Sequence, residues 1–162
     1  MDIEHDWPVI QDMFRRAFGS SLHTAVATVD ADGSPRLAPI GSLMLTEPGR
    51  GIYFDRFTTD TAANLDRDPR IAVLAVDSGK WFWLWGLVRG RFPALPAIRL
   101  EGKAGPRRPA TEEERRRWQR RVRRVRRTRG HRLLWGSLTH VRDLTFESAE
   151  AIELGRMTAG LD

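Results

Sequence analysis

The sequence predicts a mainly β, α+β domain: an antiparallel β-barrel carrying flanking helices. Three observations point there. An Asp-Gly pair, Asp32-Gly33, joins two β-rich runs in HTAVATVDADGSPRLAPIGSLML, a strong hairpin signal. Short apolar runs bounded by Gly, Pro and Asp recur from Ile52 to Ala104. Helical patterns fall near the two ends of the chain and once in the middle, so strands and helices do not alternate as a parallel βαβ fold requires.

In chain order, Ile10, Met13, Phe14, Ala17 and Phe18 recur at helical spacing, with Asp6 and Pro8 suited to a helix start and Gly19 to a stop. An amphipathic helix is expected over 6–18, docked on a barrel core spanning 20–105. After the hairpin, the turn from Glu47 to Gly51 leads into a strand from Ile52 to Asp55. A short helix from Asp60 to Arg67 follows, ended by Pro69. Arg70 to Asp77 reads as a buried strand, and Ser78-Gly79 turns the chain. In KWFWLWGLVRGRF a strand would set Trp81, Trp83 and Trp85 on one face and Phe82 and Leu84 on the other. Both faces would be apolar, one toward the barrel interior and the other toward a ligand or a second subunit; plain core or interface packing competes with the ligand reading. Ala97 to Ala104 is a further strand. Past GPRRPA, a capping box at Thr111 and Glu114 opens an arginine-rich helix over 111–129, and LLWGSLTHVRDLTFE and AIELG supply strands within 133–155. The 162 residues read as a single domain.

Composition excludes several classes. With 41% hydrophobic and 30% charged residues the chain is globular, and its apolar runs, such as Trp81 to Val88, are shorter than the ~20 residues a spanning helix needs. MDIEHDW lacks the basic and apolar regions of an export signal, which predicts a cytoplasmic protein. Without cysteine there is no disulfide, thiolate metal site or thiol nucleophile. The histidines, His5, His23, His131 and His140, show no metal-ligand spacing. The net charge of +6 is local: 107–132 holds thirteen arginines against three glutamates, a net of +10 that leaves −4 for the remainder. On that helix Trp118, Val122 and Val125 form a stripe only about 60° wide, which predicts light packing. Its arginines could neutralise nucleic-acid phosphates or acidic lipid head groups. No aromatic platform interleaves them, so a solvated face, or one lending an arginine to a bound anion, is the favoured reading.

The most chemically suggestive stretch is RGIYFDRFTTDTAANLDRDPRIAVLAVD, from Arg50 to Asp77. A helix starting just after a strand presents unpaired amides, and Thr58, Thr59 and Thr61 add hydroxyls around an anion there. The competing reading is ordinary N-capping of a short helix.

These residues, with HTAVATVDADGSPRLAPIG and RLEGKA at Arg99 to Ala104, resemble the pyridoxamine 5′-phosphate oxidase-like FMN-binding split barrels over roughly 20–105. The run A-A-N-L-x-R-x-P-R before an apolar strand carries most of the likeness. The resemblance implies a homodimer of six-stranded split barrels with FMN in the groove between subunits and a small-molecule substrate. It implies that Arg36, Ala38, Pro39 and Ile40 run beside the isoalloxazine ring. Arg56, Phe57, Thr58 and Thr61 would hold the ribityl phosphate, Asn64 would brace the loop, and Trp83 or Trp135 would reach in from the partner. Many members have lysine where this chain has Thr61, so an arginine would have to supply that charge. The C-terminal Arg and Trp pattern of the true oxidases is not visible after Leu133. Alternatives are a reductase using the deazaflavin coenzyme F420, whose acidic tail would suit the arginine-rich helix, and a non-enzymatic module that binds cofactor or nucleic acid. Haem, with His131 or His140 as axial ligand, is the least favoured.

Overall fold

The computed structural model describes residues 1–56, 59–123, 128–130, 133 and 138–161. Strands β1 (Thr24–Val29), β2 (Pro35–Ile40), β3 (Met44–Leu45), β4 (Arg50–Phe54), β5 (Arg70–Val76), β6 (Ala97–Pro109) and β7 (His140–Ala151) pair antiparallel in the order β2-β1-β5-β6-β7-β4-β3. The coiled sheet is a split barrel whose edge strands, β2 and β3, do not pair with each other among the described residues. The described residues form seven strands against the expected six: Met44–Leu45 adds a two-residue strand, and at the C-terminal end β7 runs unbroken to Ala151 while the strand expected over AIELG does not continue beyond it.

Helix α1 (Trp7–Ser21) buries Ile10, Met13, Phe14 and Ala17 against the barrel, as its periodicity predicts. One local expectation holds and one fails. Asp6 is the N-cap residue and Pro8 lies in the first turn, although the Asp6 carboxylate accepts from the Asp2 amide and makes no side-chain cap. Gly19 does not stop the helix, which continues to Ser21 and ends where Leu22 turns left-handed at φ 62°.

The segment read as the Trp strand is a helix, α3 (Lys80–Arg89). Every residue from Trp81 to Trp85 is aromatic or Leu, so alternation carries no information there and the ends decide. Gly90 closes the helix in the left-handed conformation at φ 65°, its amide bonding to the Gly86 carbonyl. Gly86 lets the Phe92 ring close on the helix, where a Cβ would come within 2.5 Å of it. Phe92 in turn stacks on Phe82, ring centroids 5.2 Å apart, and meets Trp83 edge-on at 5.1 Å.

Two-sided burial, expected of the Trp segment, belongs to β4. Tyr53 enters the main core with α1, while Ile52 and Phe54 enter a second cluster under helix α4 (Glu112–Arg121). The capping box at Thr111 and Glu114 is present, but α4 ends eight residues before the expected limit of 129. Its stripe is narrow yet deeply set. Trp118 is 2% exposed and packs between Phe18 and Phe54, with centroids 6.1 and 6.0 Å away. Val125, expected on the same stripe, lies outside the described residues.

Truncating Trp118 to alanine is expected to remove about 3–5 kcal/mol of stability in a urea unfolding titration. Arg116→Ala, at an exposed position paired only with its helix neighbour Glu112, should stay within about 0.5 kcal/mol of the parent.

Candidate functional site

The stretch after β4 runs into helix α2 (Thr59–Arg67), where the sequence placed a short helix, and four sets of contacts position it. Ser42 Oγ donates to the Phe54 carbonyl at 3.0 Å and accepts from the Phe54 amide at 3.1 Å, joining the end of β4 to the turn after β2. Asn64, 2% exposed, donates from Nδ2 to Thr28 Oγ1 at 3.1 Å, fixing α2 on β1. Its Oδ1 accepts from Arg67 at 2.8 Å, and Arg67 also lies 3.5 Å from Asp30 at the β1–β2 turn. Asn64 thus ties α2 to β1 and to Arg67.

The fourth set centres on Arg142, which the sequence reading missed. On β7, Leu144 and Phe146 point into the core, and Arg142 shares their parity. A charge on the buried face of THVRDLTFE was the available signal. The side chain is 1% exposed. It donates to Asp55 at 3.0 Å, to Asp66 at 2.8 Å and to the Ala62 carbonyl at 3.4 Å, tying the end of β4 to α2. Burial works to lower the Arg142 pKa, but the hydrogen bonds to Asp66 and Asp55 outweigh it and the net shift is upward. Tyr53 lies one strand over. Its buried hydroxyl has no hydrogen-bond partner among the described residues, and burial followed by the Asp55 charge pushes its pKa up.

Of the residues assigned by sequence, Arg56 follows β4 and is half-buried, while Thr61 and Asn64 lie on α2 and are buried. Phe57 and Thr58 lie outside the described residues, as do His131 and Trp135. Arg36 stands close enough to α2 for Asp60 to influence its charge, but its guanidinium is held by Asp30 at 2.6 Å, which raises the Arg36 pKa and lowers that of Asp30. On β2 the side chains of Ala38 and Ile40 turn inward to the main core, while Pro39 is exposed. These positions offer a passing ligand backbone rather than side chains. β2 pairs only with β1 among the described residues, and prolines at 35 and 39 suit such an open edge. Trp83 lies on α3, and β5, seven residues and so roughly 20 Å long, separates it from α2 along the chain. Its indole donates to the Asp77 carbonyl at 2.5 Å.

Thr61 lies in the first turn of α2 and Arg56 just after β4, and the amides of a helix's first turn are donors suited to an anion. Asp60 in the same turn offsets part of the helix field. No group of His, Asp and Glu among the described residues is arranged to hold a metal ion. Nor is any helix among them long and apolar enough to cross a membrane.

Known proteins resemble this chain in family profile and in fold. The family profile described as pyridoxamine 5′-phosphate oxidase matches residues 10–147, so the chain belongs to that family of split barrels. Solved structures agree on the fold. An FMN-binding protein from Syntrophomonas wolfei subsp. wolfei superposes with TM-score 0.59 at 16% identity, covering 93% of this chain and 90% of the other. HupZ from Group A Streptococcus gives 0.58 at 21%, covering 93% and 98%, and an F420 reductase gives 0.56 at 12%, covering 86% and 94%. Among curated proteins no sequence match is found.

Arg142→Met should cost about 3–5 kcal/mol in denaturant unfolding, because Asp55 is left buried without its main counter-charge. Acid should act at the other end of α2. The hydrogen bond from Arg70 holds Asp68 down to about 2. A depressed carboxylate stabilises above its unfolded pKa and loses that contribution as pH falls through the folded value. Asp68→Asn is therefore expected to flatten the loss of stability between about pH 4 and pH 2, read from unfolding midpoints across that window.

Proposed function

We propose that the protein is a homodimeric FMN-binding flavoprotein that performs oxidoreduction on a small molecule. The observation that carries this reading is the clamped junction of β4 and α2: Asn64 and Arg142 fix a helix that follows Arg56 and packs on β1, the neighbour of an open edge strand. Family membership supports it, and the flavin it implies would supply hydride or single-electron chemistry, leaving the polypeptide to bind and orient.

Each element then has a task. Arg56 and the α2 amides take the phosphate, with Thr58 and Phe57 beside them. Thr61 contributes a hydroxyl where a lysine would give a charge. The backbone of 36–40 runs beside the ring system, and its open edge leaves amides and carbonyls to meet polar ring atoms. A second copy closes the groove. Support for dimerisation comes from Leu37, 76% exposed on β2, and from Trp81 and Trp85 on the outer side of α3, 73% and 53% exposed. Trp83 belongs to that same helix, half-buried against Phe92 and the Asp77 carbonyl, and its exposed part would border the groove of the other subunit.

Protein reconstituted with FMN should absorb near ~450 nm and bind FMN more tightly than riboflavin, which lacks the phosphate. Arg56→Ala should weaken FMN about ten- to hundredfold and leave riboflavin nearly unchanged. Thr61→Lys should do the reverse, tightening FMN about tenfold through a charge-assisted bond. Equal affinities for the two flavins in all three proteins would overturn the phosphate assignment. Selective uptake of the deazaflavin, with absorbance near ~420 nm, would replace FMN as the cofactor.

A further inference from the structure

Helix α1 and the end of α4 enclose a cavity of about 540 Å³ that contains none of the residues given to the flavin. Its wall is apolar, built from Phe14, Phe18, Leu22, Leu45 and Val122. Among the described residues the lining includes no aspartate or glutamate, yet Arg121 faces it, with Gln11, Arg15 and Arg123 also contributing.

Arg121 differs from the arginines of the preceding turn, Arg115 to Arg117. Arg117 donates to the Leu45 carbonyl at 2.9 Å, Arg115 bonds Glu112 at 2.9 Å, and Arg116 lies 3.2 Å from the same carboxylate. Arg15 is paired with Asp12. Arg121 has no carboxylate or hydrogen-bond acceptor among the described residues; its guanidinium carbon sits 4.1 Å from the centroid of the Phe18 ring. Burial, and then the nearby charge of Arg117, brings its pKa down to about 10, so it remains protonated at neutral pH. A half-buried cation stacked on one side and open on the other, in a largely apolar hollow, lacks an anion.

We infer that this cavity is a second ligand site, taking an apolar carboxylate whose head group pairs with Arg121 and whose body lies on Phe14, Phe18, Leu22, Leu45 and Val122. A planar guanidinium accepts a carboxylate through two parallel hydrogen bonds. The volume falls within the roughly 300–1,000 Å³ of small-molecule pockets, enough for a medium-chain acyl group or a two-ring aromatic acid. The hydrocarbon lining selects against small hydrophilic anions, which would forfeit the burial term.

Isothermal titration of the purified protein with decanoate, and with decanol as its uncharged counterpart, tests the site. Decanoate is expected to bind about ten- to hundredfold more tightly than decanol. Arg121→Met should bring decanoate down to the level of decanol and leave decanol unchanged. This variant should keep its melting temperature, because replacing an uncompensated charge by a hydrocarbon of similar size is seldom destabilising. Leu22→Asp provides an independent arm. Leu22 is exposed and left-handed, a conformation that aspartate tolerates better than leucine, and the new carboxylate would repel decanoate from the cavity wall. FMN affinity should be the same in both variants and the parent, which separates this site from the flavin groove. Equal binding of decanoate and decanol, decanoate affinity unchanged in both variants, or no decanoate binding at millimolar concentration would each overturn the inference.

Discussion

Three elements of the fold converge on the guanidinium of Arg142. Asp55 arrives from the end of β4, Asp66 and the Ala62 carbonyl from α2, and the Gly105 carbonyl from β6 at 3.4 Å. Such a buried ion-pair cluster contributes little net stability over hydrocarbons filling the whole cluster, because desolvation consumes most of the Coulombic gain, although removing Arg142 alone strands Asp55. Its effect is positional. The hydrogen bonds have directions, so α2 has one place to sit, and Asn64 on Thr28 repeats the constraint from the other face of the helix. A phosphate site built on a helix start works only if the amides point at a fixed spot, and the short α2 buries few side chains of its own to ensure it.

The arginine-rich helix is governed by a different balance. Its charge count suggests a polyanion surface, yet much of that charge is spent locally. Arg115 bonds the Ala110 carbonyl and Glu112, Arg117 reaches the Leu45 carbonyl, and Arg108, on the preceding strand, joins Glu114 at 2.7 Å and Asp143. Two aromatic rings and one Trp carry the packing: Phe18 from α1 and Phe54 from β4 meet Trp118. Arg121 stands apart, with a ring for company and no carboxylate.

The hairpin, β5, the α2 segment and the capping box were all legible because each is written in a few adjacent residues with a local cause. Where every residue is apolar, as from Trp81 to Trp85, alternation and helical spacing fit equally well, and the outcome turned on Gly86 making room for Phe92. The role of Arg142 was written only as a charge in an inward register position, and its partners lie 76 and 87 residues away, a separation no local pattern spans. At the candidate site Asn64 was legible from its motif. Arg36 was legible as a charge but not as one already held by Asp30, since that pairing depends on the hairpin bringing residues 30 and 36 together.

The tail of the chain fastens α3 from a distance. The Phe92 amide bonds to the Met157 carbonyl at 2.9 Å, Arg91 reaches the Ala159 carbonyl 68 residues downstream at 3.4 Å, and Leu161 packs against the main core. Translation supplies these contacts in the wrong order for safety. The ribosome delivers a helix bearing Trp81, Leu84, Trp85, Leu87 and Val88 on its outer side well before it delivers the residues that hold the following loop in place. For that interval the nascent chain displays a greasy helix with an unsecured end, the kind of surface that holding chaperones recognise and that crowds of identical nascent chains share.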